Sequence, residues 1–561
     1  RLFDNRGVSD DAQPGAADFD GAGGSFSAQD LAAAGWSPGA GLNLEGAGLA
    51  WPTASPGKPD NVRADGQSVV LGGRGGALTF LVAASSPDGP GGDVTGSGTI
   101  RYHDGSAGTY TLTAPDWRSG PLSTKALGLT HRNTADGQQT EKTRLYAVTV
   151  PANPNATVAS VDLPKDPGPD ADLHVFAMAV KPSTGKWTGT WGASTSGYTA
   201  VGPWTDQTLR LVVHASAGGD AARIRLSNTF ASTPVRIGSA TVALQGKGAT
   251  AASAPVPLTF GGKASATIPA GAQAYSDRTG LTVPAGANLL VSIHLPQTVA
   301  AVPSHSLGKQ TSYISGPGSG DHARDTDAGA FTSTLTSWPF LTGVDVSGGP
   351  GSVVTLGDSI TDGTGSTADA NRRWPDVLAQ RLREQSALPR YGVLNQGISA
   401  NRVSVDNYTG DGVSTNTGGV SAQNRFERDV LAQTNARTVL VFEGINDARW
   451  GFSSADVIEG LKRIAQRAHA RGMRVVVATV VPCQGEKMCT AEADATRTAV
   501  NDFIRANGGV FDAVADFDAV VRDPAQPKRL LPAYDSGDHL HPNDTGLKAM
   551  ADSLTLSQLA P

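Results

Sequence analysis

At Gly348-Gly349-Pro350-Gly351 the chain changes its hydrophobic rhythm, and that change limits the folds open to it. Downstream, short apolar runs at 352–356, 393–394, 438–442 and 475–477 alternate with segments of helical spacing. Trp374 to Gln385 reads as a helix, and a second helical stretch is expected around Ala422 to Gln433. Val457, Leu461, Ile464 and Ala468 recur at helical intervals, and a further helix is expected from about Ala491 to Ala506, before a last run at 512–516. Strand and helix in alternation predict a parallel sheet with helices on both faces.

Upstream the text is different. The chain carries 69 glycines and 34 prolines in 561 residues, which points to many turns between short strands. There is no G-X-Y period, no other fixed repeat and no heptad pattern. Runs such as 68–71, 77–82, 146–150 and 173–179 sit between Gly, Pro, Asp and Asn, as in an all-β sandwich. Composition shifts near residue 180, and Pro182 to Lys186 reads as a linker. From Trp187 to about Pro339 a second β-rich region follows. Its segments 209–214 and 222–227 alternate as strands with one wet face, and 289–294 reads as another strand. The expected modules are therefore 1–182, 183–345 and 346–561. The first is expected to fold separately.

Net charge is −6 with a pI near 5.9, so no basic field exists to attract nucleic acid. No apolar run reaches the roughly 20 residues that span a bilayer. The chain opens at Arg1 without an initiator Met, a charged n-region or an apolar h-region, as expected of a processed or trimmed exported chain. Cys483 and Cys489 are the only two cysteines. A disulfide closing a small loop fits an exported protein, and two free thiols are the alternative. Two Cys without a nearby His make half a zinc set at best.

In a parallel α/β sheet, ligands bind beyond the carboxyl ends of the strands. The first strand runs into Gly357-Asp358-Ser359-Ile360-Thr361-Asp362-Gly363, which places the Ser359 hydroxyl there. The second runs into Asn395-Gln396-Gly397-Ile398-Ser399-Ala400-Asn401-Arg402, and the third into Glu443-Gly444-Ile445-Asn446-Asp447. Near the C-terminus stands Asp538-His539-Leu540-His541-Pro542-Asn543-Asp544. The set resembles the SGNH hydrolases, the GDSL esterase/lipase superfamily, whose Ser, Gly, Asn and His blocks fall here on Ser359, Gly397, Asn446 and His541. Ile360 replaces the usual Leu, a conservative apolar change.

The resemblance implies a flavodoxin-like α/β/α domain and carboxylic-ester hydrolysis. Ser359 would be the nucleophile, His541 its general base and Asp538 the group that orients His541. The Ser359 and Gly397 amides and the Asn446 side chain would form the oxyanion hole. His539 competes with His541, but Pro542-Asn543-Asp544 matches the family's block after His541. Asp447 reads as a turn or hydrogen-bonding group, and His469 as solvated. Trp450 and Phe452 are candidates to line an acyl or sugar pocket, with core packing as the alternative. No metal-ligand spacing and no nucleotide fingerprint occurs, so no cofactor is expected.

Trp187 to Trp191 and Arg225 to Phe230 look like the β-region before the serine block in an actinobacterial branch of the superfamily. Residues 3–11 and 19–21 are similar to sandwich modules of exported carbohydrate-active enzymes. Asp10, Asp11 and Asp20 could bind calcium there, against the plainer reading of acidic turns. The expected function is a secreted esterase that deacylates, above all deacetylates, a carbohydrate. Polysaccharide binding by the first module is one reading, and a spacer without ligand the other. A lipase or phospholipase, cleavage of glycosidic bonds on the same scaffold, and a catalytically silent glycan-binding protein are the competing functions.

Overall fold

The structure is a computed structural model that describes residues 2–414 and 418–561. Arg1, where the expected first module begins, lies outside the described residues. Two β-sandwich regions precede a helix-covered parallel sheet.

In the first region a five-stranded antiparallel sheet contains Thr143–Pro151, Ala77–Ser85 and Asp172–Lys181 at its centre. It packs on a four-stranded sheet of Ser68–Arg74, Thr157–Asp162, Val94–Tyr102 and Ala107–Ala114. Ala77–Ser85 is buried along its whole length. Leu78, Phe80 and Val82 face the other sheet with Ile100 and Leu112, whereas Leu81 and Ala83 face Trp117 and Phe176. A strand covered on both faces reads as one continuous apolar run.

The second region is another antiparallel sandwich. Gln207–His214 and Asn288–Leu295 pair in register through eight residues in one six-stranded sheet. The opposite sheet contains Trp187–Gly192, Leu341–Ser347 and Ala222–Ser227. The wet face expected of 209–214 is not wet. Arg210 is fully buried beneath the 321–327 segment, where it donates to Ser292 Oγ at 2.9 Å and to the carbonyls of Ala249 and Asp325 at 2.9 and 2.6 Å. Those acceptors replace the water it gives up.

The expected boundary at residue 182 falls in the connecting turn, but packing crosses it. Gly41–Leu44 and Ala47–Ala50, from the first region, complete the second region's six-stranded sheet through the Asn43–Gln273 pair. Trp36 donates its indole N–H to the Ala270 carbonyl at 2.9 Å. One hydrophobic cluster runs from Phe26, Trp36 and Trp51 to Leu211, Leu226 and Val291. The first region therefore shares a sheet and part of its core with the second.

The last region holds five parallel strands, numbered here β1 (Ser352–Gly357), β2 (Gly392–Gly397), β3 (Ala436–Phe442), β4 (Arg474–Ala478) and β5 (Ala513–Ala515). Their spatial order is β2-β1-β3-β4-β5, the flavodoxin-like arrangement. Alternation along the strands divides the core. Val354, Val439, Val441 and Val475 pack with Leu461 and Ile464 of helix Ser454–Ala470. Val353, Leu440 and Val476 face Leu378 and Leu382 of helix Trp374–Glu384 on the other side. The helix starts are specified locally. Ser453 accepts from the Asp456 amide, and Asp376 accepts from the Arg373 amide ahead of Trp374. The expected helix around 422–433 is one π-helical turn, Glu427–Leu431.

The second region covers the sheet edge. A Cβ on Gly392 of β2 would lie 1.9 Å from the Gly189 carbonyl oxygen, so only glycine permits this approach.

Candidate active site

β1 ends in a sharp turn whose Asp358 caps the short helix Ser359–Asp362, Oδ1 accepting from the Ile360 amide at 2.9 Å. Ser359 is the first helical residue, and its own N–H has no intrahelical partner. It lies at the switch point between β1 and β3, where a crevice opens in this topology.

The C-terminal block meets Ser359 through His541. His541 Nε2 lies 2.8 Å from Ser359 Oγ, and His541 Nδ1 lies 2.5 Å from Asp538 Oδ2. Asp538 Oδ1 also accepts from the His541 and Leu540 amides at 2.8 and 2.9 Å. Partial burial pushes the Asp538 carboxyl up, but the His541 side chain and these two amides outweigh it and hold it down at about 2. An ionised Asp538 on Nδ1 keeps the Nδ1–H tautomer, leaving the Nε2 lone pair for the serine proton. His539 takes a left-handed backbone (φ 65°) and pairs with Asp535 at 2.7 Å instead. The structure joins Ser359, His541 and Asp538 in one line and leaves His539 out.

Asn446 stands after β3 in the short helix Ile445–Arg449. Its Nδ2 donates to the Asn401 carbonyl at 3.0 Å, and its Oδ1 accepts from Arg449 Nη1 at 2.9 Å. Asp447 accepts from the Val403 and Ser404 amides and the Ser404 hydroxyl, which ties the loop after β2 to the end of β3.

Gly397 does not serve as the sequence suggested. Its N–H donates to Asn395 Oδ1 at 2.9 Å, so the amide is committed. Its missing side chain answers a different need, since a Cβ there would lie 2.4 Å from the Asp362 nitrogen. Glycine lets β2 approach the serine helix. Three residues on, Ala400 has φ 62° and an amide without a hydrogen-bond partner among the described residues. A non-glycine residue in this conformation is strained and accompanies functional loops. Nothing in the sequence marks an alanine for this place.

Two arginines were also missed. Arg425 is fully buried and gathers three strand ends from beneath, donating to Gly357 and Gln396 carbonyls at 2.9 and 2.7 Å and to Glu443 at 3.3 Å. Burial, with Asp358 nearby, pushes the Glu443 carboxyl well up; burial and Asp447 push Asp358 up to about 7. Arg449 links Asn446 to Glu486 at 3.0 Å in the loop closed by the Cys483–Cys489 disulfide. Nothing in the sequence singles out either arginine.

Trp450 is 42% exposed and borders a shallow groove of about 410 Å³ shared with Arg449, Met488 and Thr490. Phe452 is half-buried beside it, and the Arg402 guanidinium lies 5.0 Å from the Phe452 ring centre. His469 is exposed and pairs with Asp512. Among the described residues, no three His, Cys, Asp or Glu side chains are grouped to hold a metal ion. Asp11 is occupied by Ser27 and Asn133, and Asp20 by the amides of Ala22 and Gly24. No helix among the described residues is long and apolar enough to cross a membrane.

A serine-histidine-aspartate line at the carboxyl edge of a β2-β1-β3-β4-β5 sheet defines the serine hydrolase class. Residues 355–549 match the GDSL-like Lipase/Acylhydrolase family, and residues 2–184 match the AziU2-like beta-sandwich domain. The chain carries a GDSL-type (SGNH) hydrolase domain and is a serine ester hydrolase.

Among solved structures, the chain is similar to a GDSL-like lipase from Bacteroides thetaiotaomicron. That likeness has 17% identity, 37% of this chain, 86% of that chain and a TM-score of 0.27. It is also similar to a member of the lipolytic protein G-D-S-L family from Veillonella parvula, with 20% identity, 36% and 94% coverage and a TM-score of 0.26. The acetyl xylan esterase AlAXEase gives 18% identity, 37% and 98% coverage and a TM-score of 0.27. A search of curated proteins found no match.

Proposed function

We propose that this chain removes acyl groups, acetyl above all, from a carbohydrate, with Ser359 as nucleophile, His541 as base and Asp538 as its orienting carboxylate. The observation that carries this reading is the hydrogen-bond line from Ser359 Oγ through His541 to Asp538. His541 Nε2 takes the serine proton as Oγ bonds to the acyl carbon. The carbonyl electron pair moves onto oxygen, and Asn446 Nδ2 with the Ser359 and Ala400 amides supplies the donors for it. One such donor contributes roughly 3 kcal/mol in the transition state. Collapse expels the alcohol, which receives the proton from His541, and water repeats the sequence to release the acid.

Support for a sugar comes from the exposed Trp450 face, four residues after Asn446 and above a shallow groove. An indole offers a flat apolar surface and a polar edge. The disulfide supports export, since such bonds persist in oxidising compartments.

The test is a hydrolysis panel of acetylated glycans against p-nitrophenyl esters of rising acyl length, with Ser359→Ala as control. Preference for acetylated glycans is expected. Rising turnover with acyl length would make the enzyme a lipase, release of sugars by glycosidic cleavage a glycosidase, and no turnover above the control a binding protein.

A further inference from the structure

The Asn446 amide can face the cleft in two ways, with its NH₂ or its carbonyl oxygen toward the reacting centre, and only the first can serve an oxyanion. Its surroundings decide between them. Arg449, three residues later on the same face of helix Ile445–Arg449, donates Nη1 to Asn446 Oδ1 at 2.9 Å. On the other side, Nδ2 meets the Asn401 carbonyl at 3.0 Å. Flipping the amide would set NH₂ against a guanidinium and oxygen against a carbonyl, two repulsive contacts in a site only 1% exposed. The flip is fixed, and Arg449 is what fixes it at the oxygen.

Arg449 is itself held from outside the helix. Its Nε donates to Glu486 Oε2 at 3.0 Å, and Nη2 lies 3.9 Å from the Met488 sulfur. Glu486 sits in the loop closed by Cys483–Cys489. There its N–H donates to the Cys483 carbonyl at 3.1 Å, its carbonyl accepts from the Cys489 amide at 3.0 Å, and Oε2 also takes the Met488 amide at 3.0 Å. The disulfide thus pins the backbone on both sides of the carboxylate that holds the arginine.

We infer that Arg449 is a positioning residue for the oxyanion amide, and that the Cys483–Cys489 loop sets it through Glu486. The inference rests on the reading of Asn446 as an oxyanion donor. Arg449 acts through Asn446, so its removal weakens the transition state more than substrate binding and has no further effect once Asn446 is gone.

The experiment is a double-mutant cycle on p-nitrophenyl acetate with full-length folded protein. Arg449→Met should lower kcat by about tenfold or more with KM within about twofold, a part of the 10²–10³ a lost donor costs. Arg449→Lys, which retains one donor, should recover part of that loss. In the Asn446→Ala background, Arg449→Met should change kcat by less than about twofold, the mark of two residues acting as a unit. Glu486→Gln keeps the loop's shape and should repeat the pattern at smaller size, so the inference remains testable if Arg449→Met fails to fold. Dithiothreitol gives two electrons and two protons to the Cys483–Cys489 pair and is oxidised to its cyclic disulfide. It should lower kcat in the wild type and not in Asn446→Ala. An Arg449→Met loss of equal size in both backgrounds, or no loss in either, would overturn the relay. An Asn446→Ala variant with unchanged kcat would overturn the oxyanion reading itself, and the inference with it.

Discussion

His305 Nε2 lies 2.7 Å from Asp362 Oδ1, across the seam between the second β region and the hydrolase sheet. Both residues are almost fully buried. The other oxygen of Asp362 accepts from the Ser399 amide at 3.2 Å, so this carboxylate closes the serine helix and anchors the loop after β2. His305 Nδ1 faces the Ser194 carbonyl at 2.7 Å, and Nε2 also faces the Leu307 carbonyl at 3.2 Å. With acceptors at both nitrogens the ring carries two protons. Burial alone would strip one of them, but Asp362 and the two carbonyls outweigh it and raise the His305 pKa above its usual 6.5.

A raised histidine value has a definite sign in stability. Its contribution is complete below about pH 6.5, the value of an unfolded histidine, and is lost as pH rises through the higher folded value. Removing one partner of a buried pair costs about 3–5 kcal/mol. His305→Gln should therefore lower Tm most at pH 5–6, with the gap to wild type narrowing as pH rises. Thermal melts of both proteins from pH 5 to 9 read this directly. A gap that widens with pH would mean the ring is neutral.

Ser359→Ala and His541→Ala should each lower kcat by about 10⁴–10⁶, and the double variant should lose little more, because nucleophile and base serve one step. Circular dichroism of each variant checks that the fold is kept. Losses that multiply would mean the two residues do not act together.

At Ala400 the prediction turns on backbone rather than side chain. Its φ of 62° costs an L-residue about 1–2 kcal/mol, and glycine none. Ala400→Gly should keep kcat within about threefold and raise Tm, whereas Ala400→Val should lower both. Unchanged kcat in a folded Ala400→Val protein would show that the amide's position is immaterial to turnover.

The sequence was legible where a residue type has to stand at a strand end. Ser359 after β1, Asn446 after β3 and the Asp538-x-x-His541 spacing could be picked out because their chemistry lies in side chains. Gly397 and Ala400 could not be sorted, since an amide donor leaves no mark on residue identity and only the Asn395 contact decides. Arg210 and Arg425 were hidden by the ordinary rule that arginine is solvated. Both are buried because carbonyls from distant segments converge on them. The boundary expected near residue 182 lies two residues from the end of the matched beta-sandwich domain, but the packing across it was not legible. Composition records a linker, but not the strands at 41–50 that reach back across it.

That reach governs the last prediction. Trp36 is fully buried in the cluster shared by the two β regions, and its indole N–H holds the Ala270 carbonyl. Lys181, at the end of the first region, pairs with Glu427 of the hydrolase region at 3.1 Å, and Arg471 pairs with the same carboxylate at 3.1 Å. Burial pushes Glu427 up, but these two cations hold it down at about 2, so it is charged at neutral pH. A protein beginning at Ser183 would bare the apolar face against Trp36 and Trp51, leave one edge of the Gln273 strand open while its other edge stays on Ala222–Ser227, and remove one of the two cations from Glu427. It should be insoluble or melt well below the full chain. Trp36→Ala tests the same coupling without cutting the chain, because losing a buried tryptophan costs about 3–5 kcal/mol. If the regions share one core, this change, made far from Ser359, should lower the temperature at which esterase activity is lost by as much as it lowers Tm. Melting of the first region alone, with activity surviving to the wild-type temperature, would show two independent units and sink the prediction.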